Sequence, residues 1–411
     1  MNRLTEHLRE IAADRSRFIL VTLGVIWGVL SLTTVLGCGN GFDRAMKEAT
    51  KNSGVEILRL FNGTTTRPWK GRPAGQPIRL KAEDATFLQE RIKGIKGISV
   101  EYMAHSAALE YDGLQTNVRV HGVDPIYAEM RYFPSQPGGR FINERDITER
   151  RRVAFIGDEV KARVFGSENP VGKSIELFGS PFTVIGVLRP KTTLSNYEGM
   201  DKSKILIPST TFKALRGYRW VNYLIIWIAD LNQDQTLINE VYAALGERHQ
   251  FDPADRKAIQ HFNHVDIQRR VYNIIDSTQV LLGIVTLLGF IVSMVSVANV
   301  MYVMVEERKR EIGIQMALGA RPAAILWDKL TEGVLITIVG GGIGVSISSL
   351  LIWAMRSAPL DPEARGFLGY PEIPFLSAIA ISSLLGIAGC IAAYWPARRA
   401  AAMEPVSILH E

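Results

Sequence analysis

The stretch Glu306-Glu307-Arg308-Lys309-Arg310-Glu311-Ile312-Gly313-Ile314-Gln315-Met316-Ala317-Leu318-Gly319-Ala320-Arg321-Pro322 decides how the rest of this chain is read. It begins where a long uncharged run ends at Val305 and closes on a Gly and a Pro, shortly before another apolar run. Basic residues alone would hold a bilayer span in place. The interspersed acids, and the apolar pair Ile312 and Met316 on one face, describe a surface built for another protein. Glu306 reaches Arg310 at i,i+4, while Glu307 reaches Arg310 and Arg308 reaches Glu311 at i,i+3. Such pairs support a helix by about 0.2–0.5 kcal/mol each. Gly319 can end that helix, and Pro322 suits the first turn of the next.

The apolar runs on either side set the architecture. Phe18–Cys38, Ser277–Val305, Gly333–Met355 and Ile373–Ala397 contain no charged residue. Each reaches or exceeds the roughly 20 residues that cross a bilayer as a helix. The 47% hydrophobic content is therefore an average over membrane segments and ordinary soluble sequence. The first run exceeds the roughly 7–15 residue core of a signal peptide and lacks a small-x-small cleavage site, so it is expected to stay attached. Val35-Leu36-Gly37-Cys38 departs from a lipoprotein cleavage box at Leu36, where a small residue is needed.

Orientation follows from Lys and Arg near the helix ends, which favour the cytoplasmic side. Arg3, Arg9, Arg15 and Arg17 precede the first run; Arg308, Lys309, Arg310 and Arg321 lie between the second and third; Arg398 and Arg399 follow the fourth. The Ser357–Glu372 link sets Arg365 against Asp361, Glu363 and Glu372. Both termini and the charged block are thus expected inside, with the large intervening domain outside. This bias accounts for the formal charge of +6, and no nucleic-acid partner is needed. Tyr394 and Trp395 suit an interfacial belt. Cys38 and Cys390 both lie at membrane segments, so no disulfide framework is implied for the external domain.

The expected fold class is a membrane protein with four transmembrane α-helices and a large α+β domain between helices 1 and 2, carried on helical stalks. Residues 1–17 form a cytoplasmic N-terminal segment and 18–38 the first transmembrane helix. Residues 39–276 form the external domain with its stalk ends, and 277–305 the second helix. Then come a cytoplasmic coupling helix (306–325), the third span (326–355), an external loop (356–372), the fourth span (373–397) and a cytoplasmic tail (398–411). The second run is overlong: about 29 residues at 1.5 Å rise give about 43 Å, against a hydrocarbon core near 30 Å. Ile267, Val271, Ile274 and Thr278 extend its helical spacing outward, as Phe42 with Met46 and Ala45 with Ala49 do after the first.

In the external domain, helices are predicted at Ala82–Lys93, Glu159–Phe165, Thr210–Arg216 and Asp234–Gln250. Strands are predicted at Ile98–Tyr102, Asn117–Gly122, Arg152–Ile156, Ser174–Phe178, Phe182–Leu188, Lys204–Ile207 and Tyr223–Ile228. Asn62–Pro77, rich in Gly, Pro and Thr, reads as a surface loop.

Catalytic chemistry is sparse. Gly166-Ser167-Glu168-Asn169-Pro170-Val171-Gly172-Lys173-Ser174 mimics a phosphate loop but has five residues between its glycines instead of four, one of them Pro, and reads as a turn before a strand. His261 and His264 stand three apart on a possible helix, with no third ligand clustered nearby. No nucleophile elbow and no HExxH occur. The uncharged runs hold no ionisable group, unlike the paths of ion carriers, and Asp276, Asp328 and Glu332 sit only at their edges. Small residues recur at four-residue spacing: Gly24 with Gly28, Gly289 with Ser293, Gly340 with Gly344, Ser382 with Gly386. Such spacing lets helix backbones approach closely.

The block Glu307–Ala320 resembles the cytoplasmic signature of the MacB/FtsX-type ABC transporter permeases. The external domain is similar to the MacB-type periplasmic core at His121-Gly122-Val123-Asp124-Pro125, Gly139-Arg140-Phe141-Ile142, Val153-Ala154-Phe155-Ile156-Gly157, Val164–Ile175 and Phe182–Val187. Glu404-Pro405-Val406-Ser407-Ile408-Leu409 resembles the family's usual ending. The resemblance implies a multi-pass permease of the cell inner membrane, present as a homodimer or paired with a paralogue, with a two-lobed periplasmic domain. It implies a cytoplasmic ABC ATPase partner that binds ATP and Mg, and a periplasmic adaptor; no cofactor or metal is expected on this chain. Some members carry the ATPase on the same chain; here the short segment before the first helix leads us to expect a separate one. On this reading Glu307, Arg308, Arg310, Glu311, Ile312, Met316, Leu318 and Gly319 couple to the ATPase, and Gly24, Gly28, Gly289, Ser293, Gly340 and Gly344 pack helices. ATP-driven movement would reach the periplasmic domain to export or mobilise an envelope substrate. Lipoprotein release of the LolC/LolE kind, or regulation of an envelope enzyme without transport, are the alternative expectations.

Overall fold

The computed structural model describes residues 15–54, 56–193, 197–373 and 375–402. The expected N-terminal segment is thus largely, and the Glu404–Leu409 tail motif entirely, outside the described residues. The elements are α1 (Arg15–Asn52), β1 (Ile57–Thr64), β2 (Pro77–Ile78), α2 (Ala82–Arg91), β3 (Ile95–Tyr111), β4 (Leu114–Val123), α3 (Tyr127–Met130), α4 (Glu144–Thr148), β5 (Val153–Ile156), α5 (Asp158–Phe165), β6 (Ser174–Leu177) and β7 (Ser180–Val187). They continue with β8 (Lys204–Pro208), α6 (Ser209–Arg216), β9 (Tyr223–Ile228), α7 (Asp234–His249), β10 (Ile259–Asn263), α8 (His264–Glu307), α9 (Lys309–Ala317), α10 (Pro322–Ser357), α11 (Pro362–Leu368) and α12 (Phe375–Ala401). The chain divides into two compact units, Met1–Met46 with Ile274–Glu411, and Lys47–Asn273.

In the second unit the strands follow the order β10-β1-β9-β3-β4-β8-β5-β7-β6, and β6 also pairs with β3. That extra pairing closes six strands, β3-β4-β8-β5-β7-β6, into a ring. The 17-residue β3 serves both halves of the sheet: Ile95–Glu101 pairs with β9, and Glu101–Tyr111 with β4. Its register shifts between Ala104 and Ala107, an irregularity of the kind that bends a strand and sharpens its twist.

Alternation along the strands assigns each side chain to one of two cores, because successive residues point to opposite faces. Leu58 and Leu60, Ala154 and Ile156, Ile205 and Ile207, and Leu224 and Ile226 enter the larger core, which α2 and α7 cover with Leu88, Leu237 and Val241. Their neighbours Ile57, Phe155, Leu206 and Ile225 enter the other core with Tyr127, Phe133 and Tyr197.

In the first unit, α1 from Thr22, α8 and α10 are long and apolar enough to cross a membrane. The fourth uncharged run lies in α12 from Phe375 onward. Residues 356–372, read as a loop, contain the short helix α11: Pro362 starts it, with φ preset for a first turn, and Gly369 at φ +72° follows its end.

Candidate functional site

The charged junction is built from two helices rather than one. α8 runs 44 residues and stops at Glu307; Arg308 leaves the helical region, and α9 starts at Lys309. Lys309 pairs with Glu306 across this break. Gly319, at φ +95°, lets the backbone turn before Pro322 opens α10. Glu307, Arg310, Glu311 and Gly319 are exposed, and Arg308 is half-buried.

The apolar face of α9 corrects the sequence reading. Ile312 is only 2% exposed and packs on Val305 and Ile325, with Met316 and Ala320 partly buried beside them. Ile312 fastens α9 to the neighbouring helices of its own chain, because the turn at Arg308 directs it back toward them. The apolar side chains that α9 and its end leave exposed are Ile314 and Leu318, the latter 84% exposed.

The small residues lie at close helix contacts. A Cβ on Gly28 would collide with Ser293 Oγ, one on Gly24 would stand 3.1 Å from the Ser296 Cβ, and ones on Gly340 and Gly344 would press on Val25 and Val29. Gly289 differs: a Cβ there would meet open space, and its carbonyl accepts from the Ser293 hydroxyl at 2.9 Å. Side chains of Ser382 and Gly386 lie outside the described residues.

A buried polar network in the second unit was missed from sequence. Lys191 Nζ, Lys204 Nζ and Arg131 Nη2 lie 3.0, 3.1 and 3.5 Å from the Asp201 carboxylate. Arg131 donates to the Ser53 carbonyl, and Lys191 to the carbonyls of Asn52, Arg131 and Tyr132 at 3.1, 2.9 and 2.8 Å. Two buried cations thus cap the last carbonyls of α1, which a helix end leaves without intrahelical partners. Gly54, at φ +62°, permits this: a Cβ there would stand 2.3 Å from the Met130 carbonyl.

A second carboxylate lies alongside. Glu101 faces His121 Nδ1 at 2.6 Å and accepts from Tyr197 at 3.0 Å and Tyr127 at 3.3 Å. Tyr197 also stacks against Arg131 and Arg59, with guanidinium carbons 4.6 and 4.2 Å from its ring centre, and meets the ring of His264, the first residue of α8, at 5.9 Å.

Burial by itself would raise the Asp201 and Glu101 carboxyls; the cations around Asp201, and the His121 bond to Glu101, hold both low. Burial pushes Lys191 down to about 8 against the pull of Asp201. It pushes His264 down to about 3, helped by the positive fields of Arg131 and Arg59. Of all these residues only His121 lay within a family motif quoted from sequence, and His264 was noted only as half of a histidine pair. The others are scattered over more than 200 positions, and no spacing rule joins them.

The features first considered for chemistry are structural. Gly166 and Gly172 take positive φ in a turn before β6. His261 lies in β10 and bonds the Tyr242 hydroxyl at 2.8 Å, so it does not share a helix with His264. Among the described residues no group of three or more His, Cys, Asp or Glu could hold a metal ion.

The described residues thus combine a unit of long apolar helices with close-packed glycines, a charged helical junction and an inserted α+β domain, the plan of a multi-helix membrane protein. Residues 18–244 match the model of the MacB-like periplasmic core domain, and residues 283–405 that of the FtsX-like permease C-terminal region. The chain belongs to the MacB/FtsX-type ABC transporter permease family. It is similar to the macrolide export ATP-binding/permease protein MacB of Rhodospirillum rubrum, 31% identical over 98% of this chain and 59% of that one. The protein of the same description from Bdellovibrio bacteriovorus is 27% identical over 100% of this chain and 62% of its own. The chain thus spans about three fifths of the length of these relatives. The crystal structure of the periplasmic region of MacB from Actinobacillus actinomycetemcomitans aligns with 56% of this chain and 98% of its own, at 20% identity and a TM-score of 0.43.

Proposed function

We propose that this chain is the force-transmitting permease subunit of a MacB-type ABC transporter in the inner membrane, with its termini in the cytoplasm. A cytoplasmic ABC ATPase binds and hydrolyses ATP with Mg and moves the charged junction. The periplasmic domain follows and, with a second permease copy and a periplasmic adaptor, exports or mobilises an envelope substrate. The permease itself performs no hydrolysis in this scheme. The observation that carries the reading is α8, one uninterrupted helix that begins at His264 in the buried network and ends at Glu307 in the junction. About 44 residues at 1.5 Å rise make it about 66 Å long, roughly twice a hydrocarbon core. The cap on α1 supports it as well, since Asn52 and Ser53 are held by the cations that surround Asp201.

The ATPase surface in this proposal is formed by Leu318 and Ile314 as apolar contacts, with Glu307, Arg308, Arg310 and Glu311 fixing register and Gly319 allowing the turn. Truncating an interface anchor costs about 2 kcal/mol or more, about thirtyfold in affinity. Leu318→Asp is therefore expected to abolish co-purification with the ATPase and stimulation of its turnover, with the permease intact in the membrane. Ile312→Asp serves as the packing control and should disturb the permease itself. Retention of wild-type co-purification and turnover by Leu318→Asp would overturn the assignment.

A further inference from the structure

A cleft of about 680 Å3 lies between α8 and α12, lined by Val295, Asn299 and Tyr302 on one side and Trp395, Arg398 and Arg399 on the other. Three independent features of its wall concern a ligand. The Arg399 guanidinium carbon sits 5.2 Å from the centre of the Tyr302 ring, so the cation is already held against an aromatic face. The exposed Asn299 places a carboxamide inside an uncharged run, where a polar group needs a hydrogen-bonding partner. Pro396, within α12, lines the cleft and has no amide hydrogen to donate along the helix.

Depth selects the occupant. Tyr302 and Trp395 stand within three residues of Val305 and Ala397, where the uncharged runs of α8 and α12 end. That is the level at which aromatic belts and headgroups meet. Two arginines and an amide answer a phosphate diester, and the Val295 side of the cleft answers an acyl chain. A second copy of the chain fits less well: an isologous contact would set this same patch, with both arginines, against itself. We propose that the cleft binds an anionic phospholipid, with Arg398 and Arg399 on the phosphate, Asn299 near the glycerol ester and Tyr302 and Trp395 as walls.

The assignment uses the permease reading only for the depth of the cleft, and its test needs no ATPase, so either can fail without the other. Native mass spectrometry of the purified full chain would compare phosphatidylglycerol with phosphatidylcholine of matched acyl chains. The wild type is expected to hold phosphatidylglycerol at least tenfold more tightly. Arg398→Gln with Arg399→Gln should remove that preference, a loss of about thirtyfold for two arginines at an anionic surface. The matching double change to Lys, which keeps the charge, should retain most of it and guards against misfolding. A wild type that does not discriminate, or a Gln variant that keeps its preference, overturns the proposal. So does loss of dimer in the Gln variant without change in lipid binding, which would make a second copy the occupant.

Discussion

Single residues in the buried network have unequal roles. Asp201 stands against three cations, Arg131, Lys191 and Lys204. Removing one partner of a buried pair leaves an uncompensated charge, at a cost of about 3–5 kcal/mol. His264 has the opposite character: it must stay neutral to remain at the start of α8, because burial and two nearby arginines disfavour its charged form, as does the positive end of a helix. Its folded value of about 3 lies below its ordinary value of about 6.5. The unfolded chain therefore binds more protons between those limits. Stability is full above the upper limit and falls as pH drops toward the lower. We expect the second unit to lose up to about 2 kcal/mol between pH 7 and pH 5 from this residue. Hydrogen exchange of the β1 and β10 amides, corrected for intrinsic rate, measures it. His264→Gln should flatten the slope, and an unchanged slope would assign it to other groups.

Among elements, the four-residue spacing of glycines read from sequence marks where helices touch, but not which helices or how closely. In the structure Gly24 and Gly28 of α1 meet α8, while Gly340 and Gly344 of α10 meet α1. Gly28 is the tightest of these, since any Cβ would overlap Ser293 Oγ. Gly28→Leu should force α1 and α8 apart and lower the thermal midpoint of the detergent-solubilised chain, whereas Gly289→Ala, into open space, should leave it nearly unchanged. Equal effects would contradict the packing. The strands tell a similar story. All seven strands predicted in the external domain exist, because their apolar alternation is strong. β1, β2 and β10 were missed, since Ile57–Thr64 carries Arg59, Asn62 and Gly63, β2 is only two residues long, and the adjacent Gln260 and His261 break any apolar alternation in Ile259–Asn263. The Asn62–Pro77 stretch, correctly irregular over most of its length, is fastened by Asp255, which accepts from the Thr66 and Arg67 amides at 2.5 and 3.1 Å. Polar ties of this kind join residues far apart in the chain and leave no local pattern. Ile312 was misread for a related reason: periodicity identifies an apolar face, but the turn at Arg308 decides whether that face meets its own chain or another.

For the molecule as a whole, the charge asymmetry of the helix ends predicts one orientation. Exposed sites suitable for reporters are Gln115 and Glu168 in the second unit and Glu311 in the junction. Gln115→Cys and Glu168→Cys should react with an impermeant thiol reagent in intact cells, in a background with Cys38 and Cys390 replaced. Glu311→Cys should react only after permeabilisation, and labelling in intact cells would reverse the topology.

The placement of β10 carries a consequence for biosynthesis. β1 and β10 pair antiparallel, with Leu58 opposite Asn263, about 200 residues apart along the chain. Closing so long a loop is entropically unfavourable and cannot begin until both ends exist. Before the ribosome reaches residue 259, β1 lacks its β10 partner. The periplasmic domain therefore completes itself at the moment α8 begins to emerge. Its maturation is timed by insertion of the very helix that follows it, so a nascent chain released early would be left with one open edge on β1 and a target for envelope proteases.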